Sequence, residues 1–308
     1  MSVKGMKIGI LGPAGTFTET AAVQWLKKSV KNDTGELKYY DTIFEVAEGL
    51  LKKEVDYGIV PIENSLEGSV GETLDVLSGG NAEGGMQIVG EILVPIRICL
   101  MAKQNLSLKK KALAKKHVYS SHEDAAQAIA GIKTIVSRPH ALAQCKRFLR
   151  ERCKGLELKA VDSTAGAAKL ASQSEELAAL ASEEAAAKYG LIIIAEDVQD
   201  RDSVTRFVVL SASGIKTSPT GNDKTSILLY LKDSPGALYD TLGEFAQREI
   251  SLTKIESRPS KKAMGDYMFH IDCEGHIEEK KLKEALEGVK TKVTMLKTLG
   301  AYPVASSY

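Results

Sequence analysis

Short apolar runs that end in glycine or proline and pass straight into capped helices recur from residue 7 to residue 211. This alternation constrains the fold more than any other feature of the chain. The run "KIGIL" is a short buried strand, and Gly12 and Gly15 lead from it into "TFTETAAVQWLKK", where Thr16 and Glu19 have capping-box spacing and Ala22, Trp25 and Leu26 share a face. Thr42 and Glu45 repeat the spacing ahead of Val46, Leu50 and Leu51, before the strand "DYGIVPI". The helix "VGETLDVLS" should stop at Gly79-Gly80. Farther on, "TIVSRPHALAQCKRFLRE" gives a strand, a turn at Pro139 and a helix packing Leu142, Cys145 and Leu149, and "LELKAVDSTAGAAKLA" repeats that order with Ser163 and Thr164 at the turn. The alanine-rich "EELAALASEEAAAKYG" is expected to be one helix ending at Gly190, followed by the strands "LIIIAED" and "RFVVLSA". Such βα units imply an α/β architecture with largely parallel sheets.

Composition removes several classes of partner. The 41 Lys and Arg nearly balance 40 Asp and Glu, and no single-sign block suggests a nucleic-acid or membrane arm. The lysine-rich turn at 109–116 is taken as a solvated surface. The start "MSVKGMKIGILG" lacks the apolar core of a signal peptide, and no run approaches the roughly 18 residues of a membrane span. Cys99, Cys145, Cys153 and Cys273 are scattered without a CxxC pair, which argues for reduced thiols in a cytoplasmic protein. At 308 residues, two or three units of roughly 100 residues each are expected.

Residues 213–223 form a polar linker, and the segment beyond it is a compact unit: strand 225–231, helix 235–249, strand 252–257, strand 266–273, helix 278–289 and strand 293–299. Leu238, Leu242 and Phe245 stripe the first helix, and Leu282, Ala285, Leu286 and Val289 the second. The order βαββαβ is ferredoxin-like. Its open sheet edges favour pairing with a second copy, giving a homodimer or homotetramer.

Several stretches admit either a local structural role or a ligand. "PIENSLEGSV" at 61–70 is a polar turn at a strand end, or a site in which Asn64 and Ser65 donate hydrogen bonds while Glu63 orients them or handles a proton. The turn at Gly15, Thr16 and Phe17 is a helix cap or a small-anion site, without the Lys of a P-loop. Ser163 and Thr164 face the same choice. In "DSVTRFVVL", Thr205 and Phe207 should face one way and Arg206 the other if the strand is regular there. His117, His122, His140, His270 and His276 have no metal spacing and no nucleophile motif occurs, so neither metal nor cofactor is expected. In the C-terminal unit, "SPGAL" and "ESRP" form a possible small-ligand pair, against ordinary capping and an exposed ion pair.

In order, "GPAGTFTETAA", "PIENSLEGSV", "SRPHALAQC", "DSTAGAA" and "VTRFVVL", followed by a module with "GALYDTL", "ESRP" and a closing "LGAYP", resemble prephenate dehydratase with its C-terminal ACT regulatory domain. The resemblance implies a catalytic region at 1–212 made of two α/β subdomains, similar in layout to periplasmic ligand-binding proteins, with the active site between them. Subdomain one would take 1–94 and 185–212, and subdomain two 95–184. An ACT domain would occupy 224–308. The implied reaction is the cofactor-free decarboxylation and dehydration of prephenate to phenylpyruvate in phenylalanine biosynthesis. Arogenate dehydration and non-catalytic sensing are the alternatives.

By the same resemblance, Thr205 assists the leaving hydroxyl, with Glu63, Asn64 and Ser65 as further catalytic residues. Gly15, Thr16, Phe17, Ser137, Gln144, Ser163, Thr164, Arg206 and Phe207 would bind substrate, with Arg206 either offsetting substrate charge or simply bracing the cleft. Gly236, Ala237 and Leu238, together with Glu256, Ser257, Arg258 and Pro259, would receive phenylalanine as effector. The chain departs from the family pattern where Ser137-Arg138-Pro139-His140 replaces Ser-His-Pro-Gln, where Ser203 replaces Asn, and where Thr18 replaces Ser.

Overall fold

The computed structural model describes residues 5–29, 35–79, 85–103, 129, 131–212, 215, 217–231, 234–260 and 267–305. The lysine-rich turn, His117 and His122 lie outside them. The chain opens with β1 (Lys7–Leu11), α1 (Phe17–Ser29), β2 (Glu36–Tyr40), α2 (Ile43–Leu51), β3 (Tyr57–Asn64), β4 (Gly68–Ser69), α3 (Gly71–Ser78) and β5 (Gln87–Pro95). The capping box expected at Thr42 and Glu45 forms with both of its bonds. Next come β6 (Cys99–Lys103), β7 (Thr134–Ser137), α4 (Pro139–Gln144), α5 (Lys146–Arg152), β8 (Glu157–Ala160), α6 (Thr164–Ala171), β9 (Leu177–Ala181), α7 (Glu183–Tyr189) and β10 (Leu191–Ala195). Strand β11 (Val204–Ser211) then returns to the first sheet, whose order is β2-β1-β3-β11-β5 with β4 paired to β3, while the second sheet runs β10-β6-β9-β7-β8.

Three expectations need correction. The alanine-rich segment is a strand and then a helix: β9 pairs with β6 and β7, and Ser182 caps α7. Ala178, Ala179, Leu180 and Ala181 are fully buried, so sheet pairing at a crowded central position overrides the helix propensity of alanine. The sheets are also mixed, not largely parallel. Strands β1, β2 and β3 run parallel, as do β7, β8 and β9, but β11 is antiparallel to β3 and β5, and β6 to β9 and β10. The chain passes between sheets at 96–98 and returns at 196–203, not near 185, because β10 belongs to the second sheet.

The C-terminal unit comprises β12 (Asp223–Tyr230), α8 (Ala237–Ala246), β13 (Leu252–Pro259), β14 (Tyr267–Glu274), α9 (Lys280–Lys290) and β15 (Met295–Pro303), with antiparallel order β13-β14-β12-β15. This is the expected βαββαβ arrangement. Its helices cover one sheet face, burying Phe245, Leu282, Ala285 and Val289 on Ile227, Leu229 and Ile271. Its other face lies on the first sheet, where Leu228, Leu299 and Tyr302 join Val60, Ile62, Ile88, Val208 and Leu210 in one apolar cluster. The approach is close at Gly300, where a Cβ would stand 2.0 Å from the Ile88 carbonyl oxygen. Glycine is required there by space. All four cysteines are buried and unbridged, and among the described residues no helix is long and apolar enough to cross a membrane.

His270 of β14 sits in this interface, with Nε2 3.0 Å from the Ser78 hydroxyl at the end of α3. Burial pushes its pKa down to about 4; Asp272 and Asp75 oppose the shift, while Arg258 and Lys254 add to it. The folded protein therefore holds a neutral imidazole, whereas the unfolded chain takes up a proton near pH 6.5. Stability from this site should be complete above pH 6.5 and decline as pH falls toward 4. Denaturant melts between pH 7.5 and 4.5 should register that loss, and His270→Gln should flatten it.

Candidate active site

Strand β11 has two working faces. Phe207 and Val209 point into the core shared by the two α/β sheets, while Val208 and Leu210 point toward the C-terminal domain. By strand alternation Thr205 shares the first face and Arg206 the second. The sequence expectation of different jobs for these neighbours matches this placement.

On the first face, Asn64 stands at the end of β3 directly opposite Thr205. Its Nδ2 donates to the Thr205 hydroxyl and to the Ser203 hydroxyl, both at 2.9 Å. Its Oδ1 accepts from the backbone N–H groups of Leu66 and Glu67 at 2.9 and 3.0 Å, which fixes which end of the amide faces Thr205. Thr205 thus receives a bond on its oxygen and keeps its own proton to donate. Ser203, the shorter residue in place of the family's Asn, reaches the same amide without an intervening water. Ser65 is used differently: its hydroxyl accepts from the Val204 N–H at 3.0 Å and its own N–H donates to the Val204 carbonyl, locking the turn to β11.

The turn beyond Asn64 touches the second subdomain. The Glu67 carboxylate lies 2.7 Å from His140 Nδ1 and accepts from Gln144 Nε2 at 3.2 Å, both on α4. Arg138, Pro139, His140, Ala160, Val161 and Asp162 line a depression of about 360 Å³ at the ends of β7 and β8. The "SRPH" and "VDST" stretches thus converge on one wall. A second depression of about 480 Å³ lies at the two crossings and includes Arg97, Asp197, Ser203 and Val204.

Other expected residues have structural duties. Gly15 has φ +86° and packs on α7, where a Cβ would meet the Ala185 Cα at 3.1 Å. The Gly15 N–H donates to the Glu19 carboxylate at 2.5 Å, and Thr16 caps the Glu19 N–H, so an internal carboxylate fills the place expected for a ligand anion. Phe17 packs at the margin of the shared core and Phe207 inside it. Ser137 is fully buried and donates to the Leu180 carbonyl at 2.6 Å. Ser163 caps α6 by accepting from the Gly166 N–H, and Thr164 begins that helix. Among the described residues no metal-ligand cluster occurs.

Arg206 and Glu63 lie on the far face of the sheet, and for Arg206 the structure favours the bracing alternative. Glu63 alternates with Asn64 and therefore faces away from the cleft, its carboxylate 3.3 Å from Arg206 Nε and 3.4 Å from Lys254. Arg206, 7% exposed, also reaches Glu91 of β5 at 3.2 Å and Asp272 of β14 at 2.6 Å. Burial opposes its charge, but Asp272 and Glu91 outweigh that and hold the guanidinium protonated above its ordinary range. A cation so enclosed is not free for substrate. The regulatory residues divide similarly: Glu256 accepts from Ser69 and Arg258 donates to Asp75 within the same chain, while Ser257 and Pro259 are exposed on β13. Gly236, with φ +84°, begins α8 on the exposed surface beside Ala237 and Leu238.

Two mixed sheets with polar groups gathered at strand ends between them, backed by a βαββαβ module, define an α/β small-molecule enzyme joined to a regulatory domain. The family model described as prephenate dehydratase matches residues 8–214, and the ACT domain model matches 225–291. The chain is 40% identical over 306 residues to the bifunctional chorismate mutase/prephenate dehydratase of Aquifex aeolicus, covering 98% of this chain and 75% of that protein. It is 38% identical over 298 residues to the prephenate dehydratase of Methanocaldococcus jannaschii, covering 95% and 96%. The crystal structure of prephenate dehydratase in complex with L-Phe from Arthrobacter aurescens superposes with a TM-score of 0.82 at 32% identity, covering 97% of this chain and 90% of that one. The chain belongs to the prephenate dehydratase family and carries the ACT domain.

Asn64→Ala removes the donor to Thr205 and the acceptor that shapes the following turn. Steady-state assays on the folded variant should find kcat lowered on the order of 10²-fold, the scale of losing one placed hydrogen-bond donor.

Proposed function

We propose that this protein converts prephenate to phenylpyruvate with Thr205 as the group that assists the leaving hydroxyl. The carrying observation is the Asn64 amide that donates to the Thr205 oxygen and leaves the threonine proton to point onward. In the reaction the ring C–O bond breaks and the departing hydroxyl takes up a proton to become water. The bond between the ring and its carboxylate breaks at the other end of the ring, its electron pair enters the ring, and carbon dioxide leaves. Aromatisation drives both cleavages, so the protein needs only to place a donor at the hydroxyl and hold the substrate still. A threonine hydroxyl is a weak acid, and Thr205 serves as a strong hydrogen-bond donor, with solvent supplying the proton.

With Arg206 enclosed, the pyruvyl carboxylate goes to the opposite wall, where exposed Arg138 and His140 border the depression at the ends of β7 and β8. A strong cation at the ring carboxylate would oppose its loss, so Arg138 serves the carboxylate that stays. Phenylalanine acts as effector at the exposed start of α8, with Ser257 and Pro259 on the edge strand β13 and with a second copy of the chain closing the pocket. Exposed Tyr239 and Ile255 near these elements supply apolar surface for that copy. The catalytic region corresponds to 1–212 and the ACT domain to 224–308.

Incubation with prephenate and, separately, arogenate tests the reading by following phenylpyruvate and phenylalanine. Prephenate should give phenylpyruvate, added phenylalanine should lower the rate, and Thr205→Ala should reduce kcat on the order of 10²-fold. Absence of product from prephenate would refute the activity. Unchanged turnover in Thr205→Ala would remove that residue from the chemistry.

A further inference from the structure

Behind the cleft, the C-terminal domain contributes a charged side chain to the very strand that carries Thr205. Arg206 donates hydrogen bonds to Asp272 from β14 and Glu91 from β5 and forms an ion pair, without a hydrogen bond, with Glu63 from β3. Lys224 of β12 pairs with Glu91 at 2.9 Å, and Lys254 of β13 with Glu63. The catalytic region thus brings two carboxylates and one cation, and the C-terminal domain brings one carboxylate and two cations. Neither half is neutral without the other. Asp272 is itself held in place, since its second oxygen accepts from the Ser226 hydroxyl at 2.6 Å, and Ser226 shares a bond of 2.7 Å with the buried Tyr302 hydroxyl.

The location of this cluster gives it leverage. Register between β11 and β3 shifts between Arg206 and Phe207, where the partner passes from Glu63 to Pro61. The extra residue is Ile62 of β3, so on that side the ladder is irregular and side-chain contacts such as Glu63 to Arg206 help set position, while β5 holds the other edge of β11 in regular register there. The pair Glu63 and Arg206 directly follows the pair Asn64 and Thr205 in regular register, just before that shift. Thr205 and Arg206 are joined by one peptide, so the contacts of the guanidinium act on the backbone next to Thr205.

We propose that Asp272, on the ACT domain, is a positioning residue for dehydration: by holding Arg206 on the far face of β11 it sets how Thr205 meets Asn64 in the cleft. The inference rests on the reading of Thr205 as the hydroxyl-assisting group. It makes the regulatory domain part of the catalytic geometry, so that an effector which shifts β14 relative to β11 changes turnover. Equal effector affinity for both arrangements would shift nothing. Phenylalanine must therefore favour one placement of Asp272 over the other.

The test compares the full-length protein with Asp272→Asn, Asp272→Glu and His270→Gln, measuring kcat, KM, phenylalanine binding by calorimetry, and melting temperature. Asp272→Asn should lower kcat on the order of 10-fold to 100-fold with KM changed less than about threefold, since misplacement of a reacting group acts on turnover. It should also bind phenylalanine while losing most of the response to it. Asp272→Glu, which restores the charge, should recover part of kcat. His270→Gln, which alters the same interface without removing a carboxylate from Arg206, should keep wild-type kcat. Wild-type kcat in Asp272→Asn would overturn the proposal, as would an equal loss in His270→Gln. If Asp272→Asn does not fold, Asp272→Glu decides: lower kcat at unchanged melting temperature supports the role, and unchanged kcat overturns it. Failure of the wild-type protein to consume prephenate would strike the functional reading instead, and is seen in the same experiment.

Discussion

The enclosure of Arg206 by three carboxylates from three strands is the constraint on which the arrangement of this molecule depends. A guanidinium taken out of water is tolerated only when its charge and donors are matched. Removing one partner of a buried pair costs about 3–5 kcal/mol because the remaining charge stays behind. Here the partners come from both domains, so the same requirement that keeps Arg206 charged also docks the βαββαβ sheet on the catalytic sheet. The apolar contact of Leu228, Leu299 and Tyr302 with Val208 and Leu210 supplies area, and the ion cluster supplies register. Gly300 lets the two backbones approach closely enough for both.

Strand β11 transmits this constraint to the cleft. A strand presents alternate residues to opposite faces, so Arg206 cannot turn toward substrate while its neighbours remain in the ladder. The cleft face is left with hydroxyls and an amide: Thr205, Ser203 and Asn64, with the Asn64 orientation fixed by two backbone donors. On the opposing wall stand Arg138 and His140. Glu67 reaches that wall from the turn that holds Asn64, so the turn and the second subdomain are joined through Glu67, His140 and Gln144.

Local patterns in the sequence carried most of the element order, because capping boxes, glycine stops and apolar spacing act within a few residues. Thr42 with Glu45, Gly190 after α7 and the whole βαββαβ unit were legible for that reason. The alanine-rich stretch was not, since its strand exists only by pairing between β6 and β7, a contact no local pattern encodes. The crossing between sheets was misplaced for the same cause. At the site, alternation correctly separated Thr205 from Arg206, and the same rule applied to Glu63 and Asn64 would have turned Glu63 away from the cleft. What alternation cannot reveal is what covers the far face. The partners of Arg206 lie at positions 63 and 91, brought by the pairing of β11 with β3 and β5, and at position 272, brought by domain docking. Ser137 and Ser163 likewise carry hydroxyls suited to a ligand, and only the tertiary structure gives those hydroxyls to Leu180 and Gly166.

A structure of the full-length protein with bound phenylpyruvate tests the central claim most directly, because the claim is about which face of β11 the reacting molecule meets. The ligand should lie between the sheets, within hydrogen-bond reach of Thr205 and with its carboxylate toward Arg138 and His140, while Arg206 keeps its contacts to Glu91 and Asp272. Phenylpyruvate bound to Arg206, or seated without contact to Thr205 or Asn64, would contradict the account.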